Sequence, residues 1–156
     1  MATILIQDIL VSDCDRKLIS PYYWCVTKRG YIVARDKKTK KNIAIHQLIL
    51  PGAMAIDHIN GDKLDNRREN LRECTQAQNL LNKAIHKDNK IGYKGVHEIK
   101  ATGLYRAVIQ VDGRSIHLGC FATKELAALA YNEAAKVYHK EFARLNNVIP
   151  SICSSK

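Results

Sequence analysis

The sequence predicts an α+β fold in two modules, and three features carry that prediction. Aromatic and β-branched runs separated by turn signals fill residues 20–50; a strand, polar loop, strand and helix are patterned over 55–82; and three further strand-like runs precede a long helix after residue 92. At 156 residues the chain suits one compact domain or two small ones.

In the first third, the runs at 22–26 and 31–34 flank the turn signal Lys28-Arg29-Gly30 and read as a hairpin. A polar turn over 36–42 with four lysines leads to a third apolar run, 43–50, read as a strand that stops at Pro51-Gly52. A small, basic antiparallel sheet over 20–50 is therefore expected. Residues 1–20 match no recognisable pattern and receive no function.

In the middle, a strand ends in Asp57-His58 and a turn follows at Asn60-Gly61-Asp62. Residues 71–74 can pair back as a second strand, and Thr75 is a natural N-cap for a helix from Gln76 to about Lys83. In that arrangement Asp57, at a strand end, and Asn79, early on the helix, can converge. A carboxylate plus an amide oxygen, with other positions left to water and phosphate, suits Mg²⁺, a hard cation that gives up water reluctantly. His58 follows Asp57 directly, so its side chain is expected on the opposite face unless the strand twists as it ends.

Residues 83–91 lose the helical pattern and collect Lys83, Lys87 and Lys90, forming a basic linker that either tracks phosphates or stays solvated. Beyond it, 92–98, 104–111 and 115–121 are strand-like, with turns at Ala101-Thr102-Gly103 and Asp112-Gly113. Thr123 should cap a helix running to about His139, with Leu126, Ala127, Ala130, Tyr131, Ala134, Val137 and Tyr138 as its apolar stripe. Residues 147–156 read as a frayed tail.

Composition limits the function classes. Lys plus Arg number 25 against 15 Asp plus Glu, a formal charge of +10, so acidic partners are expected. The charge is uneven: nine basic and four acidic side chains over 1–51, seven and six over 52–91, nine and five over 92–156. A balanced middle between basic flanks is the arrangement expected for a metal site flanked by polyanion-binding surfaces. The apolar stretches at 4–11 and 43–50 are too short and too interrupted to span a membrane, and no secretory signal is read at the start, so a cytoplasmic protein without membrane association is expected. Five scattered cysteines without a CxxC pair signal neither a disulfide framework nor a zinc site.

Asp57, His58, Asn60, Gly61, Asp65, Asn66, Arg67, Asn70, Leu71, Thr75 and Asn79 fall into the register D-H-x-N-G-x-x-x-D-N-R-x-x-N-L-x-x-x-T-x-x-x-N. Over about residues 22–82 the chain thus resembles the HNH homing endonucleases. That resemblance implies a ββα-metal nuclease module within residues 1–82, its motif at 55–82. It implies Asp57 and Asn79 as ligands of a divalent ion, Mg²⁺ or Mn²⁺, His58 as general base, and Asn70 as the residue that orients the loop and the histidine. The last letter of HNH is Asn here, and an amide oxygen still serves as a ligand. His46 is read as a partly buried, hydrogen-bonded residue and left out of the site.

The segments Tyr93-Lys94-Gly95-Val96, Tyr105-Arg106-Ala107, Ile116 to Phe121 and Ala127 to Tyr131 resemble the Apetala-type DNA-binding domain, over residues 92–146. That resemblance implies a three-stranded antiparallel sheet packed on one helix, with the sheet's outer face in the major groove. Lys94, Arg106 and Arg114 are candidate phosphate or base contacts and Gln110 a candidate base reader. Several of the plant domain's arginine and tryptophan positions hold His97, Ile99, Gln110, Ser115 and His117 here, so its target does not carry over.

The expected function is metal-dependent, site-specific cleavage of double-stranded DNA, with the chain phage-encoded and acting in a bacterial host. One site per chain addresses one strand, so nicking is expected. No obligatory protein partner is called for, and pairing of two chains on DNA is left open. The alternative is a non-cleaving, sequence-specific DNA-binding regulator. RNA as a target fits less well, because the reading sheet lacks aromatic pairs for stacking bases.

Overall fold

A computed structural model describes residues 2–37, 39–85 and 88–148 of the chain. From residue 149 onward the expected tail lies outside the described residues, as do His86 and Lys87 of the expected linker. The chain divides into two compact units, Met1–Asn82 and Lys83–Lys156.

In the first unit β1 (Ala2–Thr3), β3 (Trp24–Val26), β4 (Ile32–Arg35) and β5 (Asn42–Ala44) form an antiparallel sheet in the order β1-β3-β4-β5. The hairpin read from Lys28-Arg29-Gly30 is present, with Trp24 opposite Ala34 and Val26 opposite Ile32. Trp24 is fully buried, and its indole N–H donates to the Ile19 carbonyl at 3.0 Å, so the ring fills the core with its one polar atom satisfied.

The apolar run 43–50 departs from the strand expected of it. Only Asn42–Ala44 is extended; Ile45–Ile49 is a short helix, α2. The reason is periodicity. Ile45 and Ile49, four apart, are both buried, whereas a continuous strand would also turn Gln47 onto the core face.

Residues 1–20, silent as sequence, contribute core and edge. The segment holds β2 (Leu10–Val11) and a single helical turn, α1 (Arg16–Ile19). Ile9, Val11 and Ile19 join Trp24, Ile32, Ala34, Ile45, Ile49 and Leu71 in one apolar cluster. β2 also pairs in parallel with β7 (Asp65–Asn66), a two-residue strand inside the polar loop.

The strand, loop, strand and helix of the middle segment are observed as β6 (Ala55–His58), β8 (Leu71–Cys74) and α3 (Gln76–Leu81). β6 and β8 pair antiparallel, Ala55 opposite Cys74 and His58 opposite Leu71. Thr75 caps α3 in a reciprocal box: its hydroxyl accepts from the Gln78 N–H, and the Gln78 side chain accepts from the Thr75 N–H at 2.8 Å.

In the second unit β9 (Val96–Ile99), β10 (Leu104–Val111) and β11 (Arg114–Phe121) form an antiparallel sheet in the order β11-β10-β9, with α4 (Lys124–Tyr138) packed on it. β9 begins four residues later than expected because Gly92 and Gly95 have φ of +81° and +74°. Gly95 also admits a close approach: a Cβ there would run into the Tyr131 ring.

The buried line of α4 is Ala127, Ala128, Tyr131, Asn132 and Ala135, and its alanines let the helix sit close to the sheet. Leu126, Val137 and Tyr138, expected on that stripe, are exposed. At about 100° per residue, Leu126 and Val137 fall on the side of the helix away from Tyr131, and Tyr138 ends the last turn. Asn146 is buried near the end: its side chain accepts the Lys94 N–H at 2.6 Å and donates to the Lys94 carbonyl at 3.0 Å, while its backbone pairs with the Asn132 amide. No helix among the described residues is long and apolar enough to cross a membrane.

Candidate active site

Asp57 and His58 end β6, and each leaves about 5% of its surface exposed. Directly opposed residues of an antiparallel pair share a face, and Asp57 stands opposite Arg72. The Arg72 guanidinium donates twice to Asp57 Oδ2, from Nε at 2.9 Å and from a terminal nitrogen at 2.6 Å. The Asn82 amide, at the C-cap of α3, reaches both Asp57 oxygens at 3.0–3.1 Å and the His58 carbonyl at 2.9 Å. Asp57 is thus a desolvated carboxylate held by one cation and one amide.

His58 has separate surroundings. Its Nε2 lies 3.2 Å from Asn66 Oδ1. The His46 ring stands edge-on to it with centroids 5.4 Å apart, and the Tyr31 ring is 6.4 Å away. Lys63 sits over the Tyr31 ring, its ammonium 4.2 Å from the centroid and 2.9 Å from the Arg29 carbonyl. Burial, reinforced by the neighbouring His58, pushes His46 down to about 4, so His46 is neutral near pH 7; its Nδ1 is buried without a hydrogen-bond partner.

The loop between β6 and β8 is knit by its own polar side chains. Asn70 spans it: its Oδ1 accepts the Asn60 N–H at 2.9 Å and its Nδ2 donates to the Asp65 carbonyl at 2.7 Å. Asn60 Nδ2 donates to Asp65 Oδ2 at 3.0 Å, and Arg67 grips both oxygens of Asp65 at 2.7–2.8 Å. Hydrogen bonds from Arg67 hold the Asp65 carboxyl below the ordinary carboxylate range, against the opposing effect of burial.

Of the four residues singled out for this site, Asp57, His58 and Asn70 are buried together at the β6 end of the loop. Asn79 is exposed on α3, one turn before Asn82 on the same side of the helix. Thus the α3 amide that bonds Asp57 is Asn82, and the side chain that bonds His58 is Asn66. Sequence reasoning singled out neither, nor Arg72. For Asn82 the signal was present, three residues beyond Asn79; Asn66 falls in the matched D-N-R register, but a polar loop has no period that marks it as inward-facing.

The residues present fit a hard divalent ion. Among the described residues no group of three or more His, Cys, Asp or Glu side chains could hold a metal. The donor set, one carboxylate (Asp57, already bonded by Arg72 and Asn82) and the amide of the exposed Asn79, leaves most positions to water and phosphate as Mg²⁺ prefers.

In the second unit, strand alternation sorts the candidate DNA contacts. Arg106 pairs with His97 on one side and Cys120 on the other, and Gln110 with Ser115, whose hydroxyl accepts from the Gln110 amide at 2.6 Å. These residues share the outer face with Val108 and His117, opposite the one that carries Ala107 and Ile109 against α4. Arg114 stands opposite Val111 at the hairpin end, on the helix side of the sheet. A bulge at Leu118, with Gly119 at φ +133°, keeps His117 and Cys120 together on the outer face, 3.6 Å apart. Lys94 precedes the sheet; its ammonium reaches the Lys83 carbonyl at 3.2 Å, and burial together with Arg144 lowers its pKa.

Comparison with known proteins bears on the first unit most directly. A family model described as HNH endonuclease matches residues 49–81, from the end of α2 to the end of α3. An uncharacterized HNH endonuclease of Acanthamoeba polyphaga mimivirus is 33% identical over 136 residues, which covers 84% of this chain and 70% of that protein. Protein 3.8 of Escherichia phage T7 is 28% identical over 95 residues, 61% of this chain and 78% of that one. No solved structure matches. With a third of its positions shared across most of a viral HNH endonuclease, and the family segment coinciding with the strands and helix that carry Asp57, His58 and Asn70, the chain belongs to the HNH endonuclease family and is a nuclease.

Proposed function

We propose that this nuclease is a metal-dependent, site-specific DNA endonuclease of homing type, phage-encoded and acting in the bacterial cytoplasm. Residues 1–82 form the nuclease module with its ββα-metal motif at 55–82, residues 83–91 the linker, and residues 92–146 an Apetala-type reader of duplex DNA. The observation that carries the reading is the pairing of a buried Asp57 with a buried His58 at the end of β6, inside the segment matched by the family.

Asp57 and Asn79 are the residues that would hold the divalent ion, Mg²⁺ or Mn²⁺. When bound, the ion supplies charge neutralisation at the phosphate and at the leaving oxygen. His58 is the general base: an imidazole can take a proton from water near neutral pH. Asn70 holds the loop closed by bridging Asn60 and Asp65, which keeps the strand end that bears His58 in place. Arg72 orients the Asp57 carboxylate through two hydrogen bonds to one of its oxygens.

In the reader, Arg106 and Gln110 lie on the outer sheet face, where base edges would be met, whereas Arg114 and Lys94 stand off that face, where phosphate contact suits them. One site per chain cuts one strand, so a double-strand break takes two chains on the DNA or two events.

The test is incubation of the purified protein with supercoiled plasmid carrying source-genome DNA, in Mg²⁺, Mn²⁺ or EDTA. Conversion to open circle with metal and none in EDTA is the expected result. Linear product from the start shows paired action. A retarded complex without cleavage in either metal overturns the reading in favour of a non-cleaving regulator.

A further inference from the structure

We propose that Asn66, held beneath the N-terminal strand β2, is a positioning residue that fixes the His58 ring with its proton on Nε2 and its Nδ1 lone pair presented for proton transfer; this rests on the reading of His58 as the general base. Asn66 is wholly buried, so both ends of its amide need partners. Its Nδ2 donates to the Lys63 carbonyl at 3.2 Å, which settles the amide's orientation and leaves Oδ1 as the acceptor that faces His58 Nε2. An acceptor there requires a donor on the ring, so the proton sits on Nε2 and Nδ1 is the basic atom.

The N-terminal segment gives this contact its rigidity. Val11 stands beside Asn66 and Leu10 beside Asp65 in the β2–β7 ladder. Just beyond, the Ser12 hydroxyl accepts the Arg68 N–H at 2.9 Å, and the Arg68 guanidinium donates to both oxygens of the buried Asp15 at 2.7 and 2.8 Å. Residues 9–15 therefore clasp both the strand that carries Asn66 and the turn that follows it. A general base acts only in the right tautomer and direction, and the residue that fixes both is worth about 10–100-fold in activity when the same logic is applied to histidines that bind metals.

The experiment uses the full chain. Histidine ¹⁵N NMR of the wild type, with His58 assigned by comparison with His58→Ala, reports the tautomer directly, and the Nε2–H form is expected. Asn66→Leu, which keeps the volume and removes the acceptor, should slow single-turnover plasmid cleavage about 10–100-fold with DNA affinity within two-fold, and should mix the two tautomers. Asn66→Asp, which restores the acceptor, should recover most of the rate and the Nε2–H form. An Nδ1–H tautomer in the wild type overturns the proposal even if Asn66→Leu fails to fold. An unchanged rate in Asn66→Leu, with cleavage abolished by His58→Ala, overturns it too. Cleavage that survives His58→Ala instead overturns the assignment of the base.

Discussion

Arg72 reaches Asp57 from directly across the β6–β8 ladder and places two donors on a single carboxylate oxygen, at 2.9 and 2.6 Å. Both side chains are mostly withdrawn from water, Arg72 to 15% and Asp57 to 6%. The pair is thus part of the first unit's stability as well as of its site.

Truncation of Arg72 strands a buried carboxylate, which costs about 3 kcal/mol when one partner of a buried pair is removed. Arg72→Ala should therefore lower the melting temperature by several degrees, on the order of 6–12 °C for a chain of this size. A divalent ion would replace part of the lost charge, so millimolar Mg²⁺ should raise the melting point of the variant more than that of the wild type. Differential scanning fluorimetry with and without Mg²⁺ checks both statements. Equal Mg²⁺ shifts in the two proteins would detach Asp57 from the metal.

His46 titrates in the unfolded chain near 6.5 but is pushed down to about 4 in the fold, by burial first and then by His58. Between those values the unfolded state binds a proton that the folded state refuses, so stability is intact above 6.5 and is lost as the pH falls through this window. Discounted for solvent screening, the loss is on the order of 1–2 kcal/mol by pH 4. His46→Phe should flatten this part of the stability profile relative to wild type, as read by urea unfolding at pH 7, 5.5 and 4.5. Parallel profiles would contradict the assignment.

Gly95→Ala brings a methyl group against the Tyr131 ring at a residue whose φ is +74°. Overpacking and left-handed strain together should cost about 3 kcal/mol and loosen the second unit. A lower melting temperature, with cleavage of nonspecific plasmid retained, is the expected pair of results. A variant that melts like the wild type would contradict the packing.

Arg106 and Arg114 are both exposed arginines of one hairpin, yet alternation sets them on opposite faces of the sheet. Arg106→Ala should lower affinity for the target site about ten-fold or more and relax sequence preference, whereas Arg114→Ala should weaken all sequences alike and reduce the salt slope by about one. Competition binding on target and random duplexes distinguishes them. Identical effects would remove the outer face as the reading surface.

Legibility in the sequence followed periodicity and local chemistry. The β3–β4 and β10–β11 hairpins were legible because glycine-bearing turns separate apolar runs, and the Thr75 and Thr123 caps because capping chemistry is local. α2 was hidden by a run whose residues 43–50 are apolar enough for either element, and only burial of Ile45 and Ile49 four apart decides it. Asp57, His58, Asn70 and Asn79 were singled out through the resemblance to the HNH motif, and the fold buries the first three and leaves Asn79 exposed. The contact of Asn66 with His58 was not legible, because β2 comes to β7 from more than fifty residues away, and the role of Arg72 depends on the exact β6–β8 register, which sets it opposite Asp57. The clasp of Asp15 on Arg68 likewise has no local trace.

The central claim is that His58 does the chemistry while the rest of the chain holds the DNA. Single-turnover cleavage of a supercoiled plasmid by His58→Ala, measured beside its affinity for the same DNA, tests this most directly. The predicted result is a rate at least about a hundred-fold lower with binding within a few fold of wild type. Cleavage at the wild-type rate, or an equal loss of binding and cleavage, would contradict it.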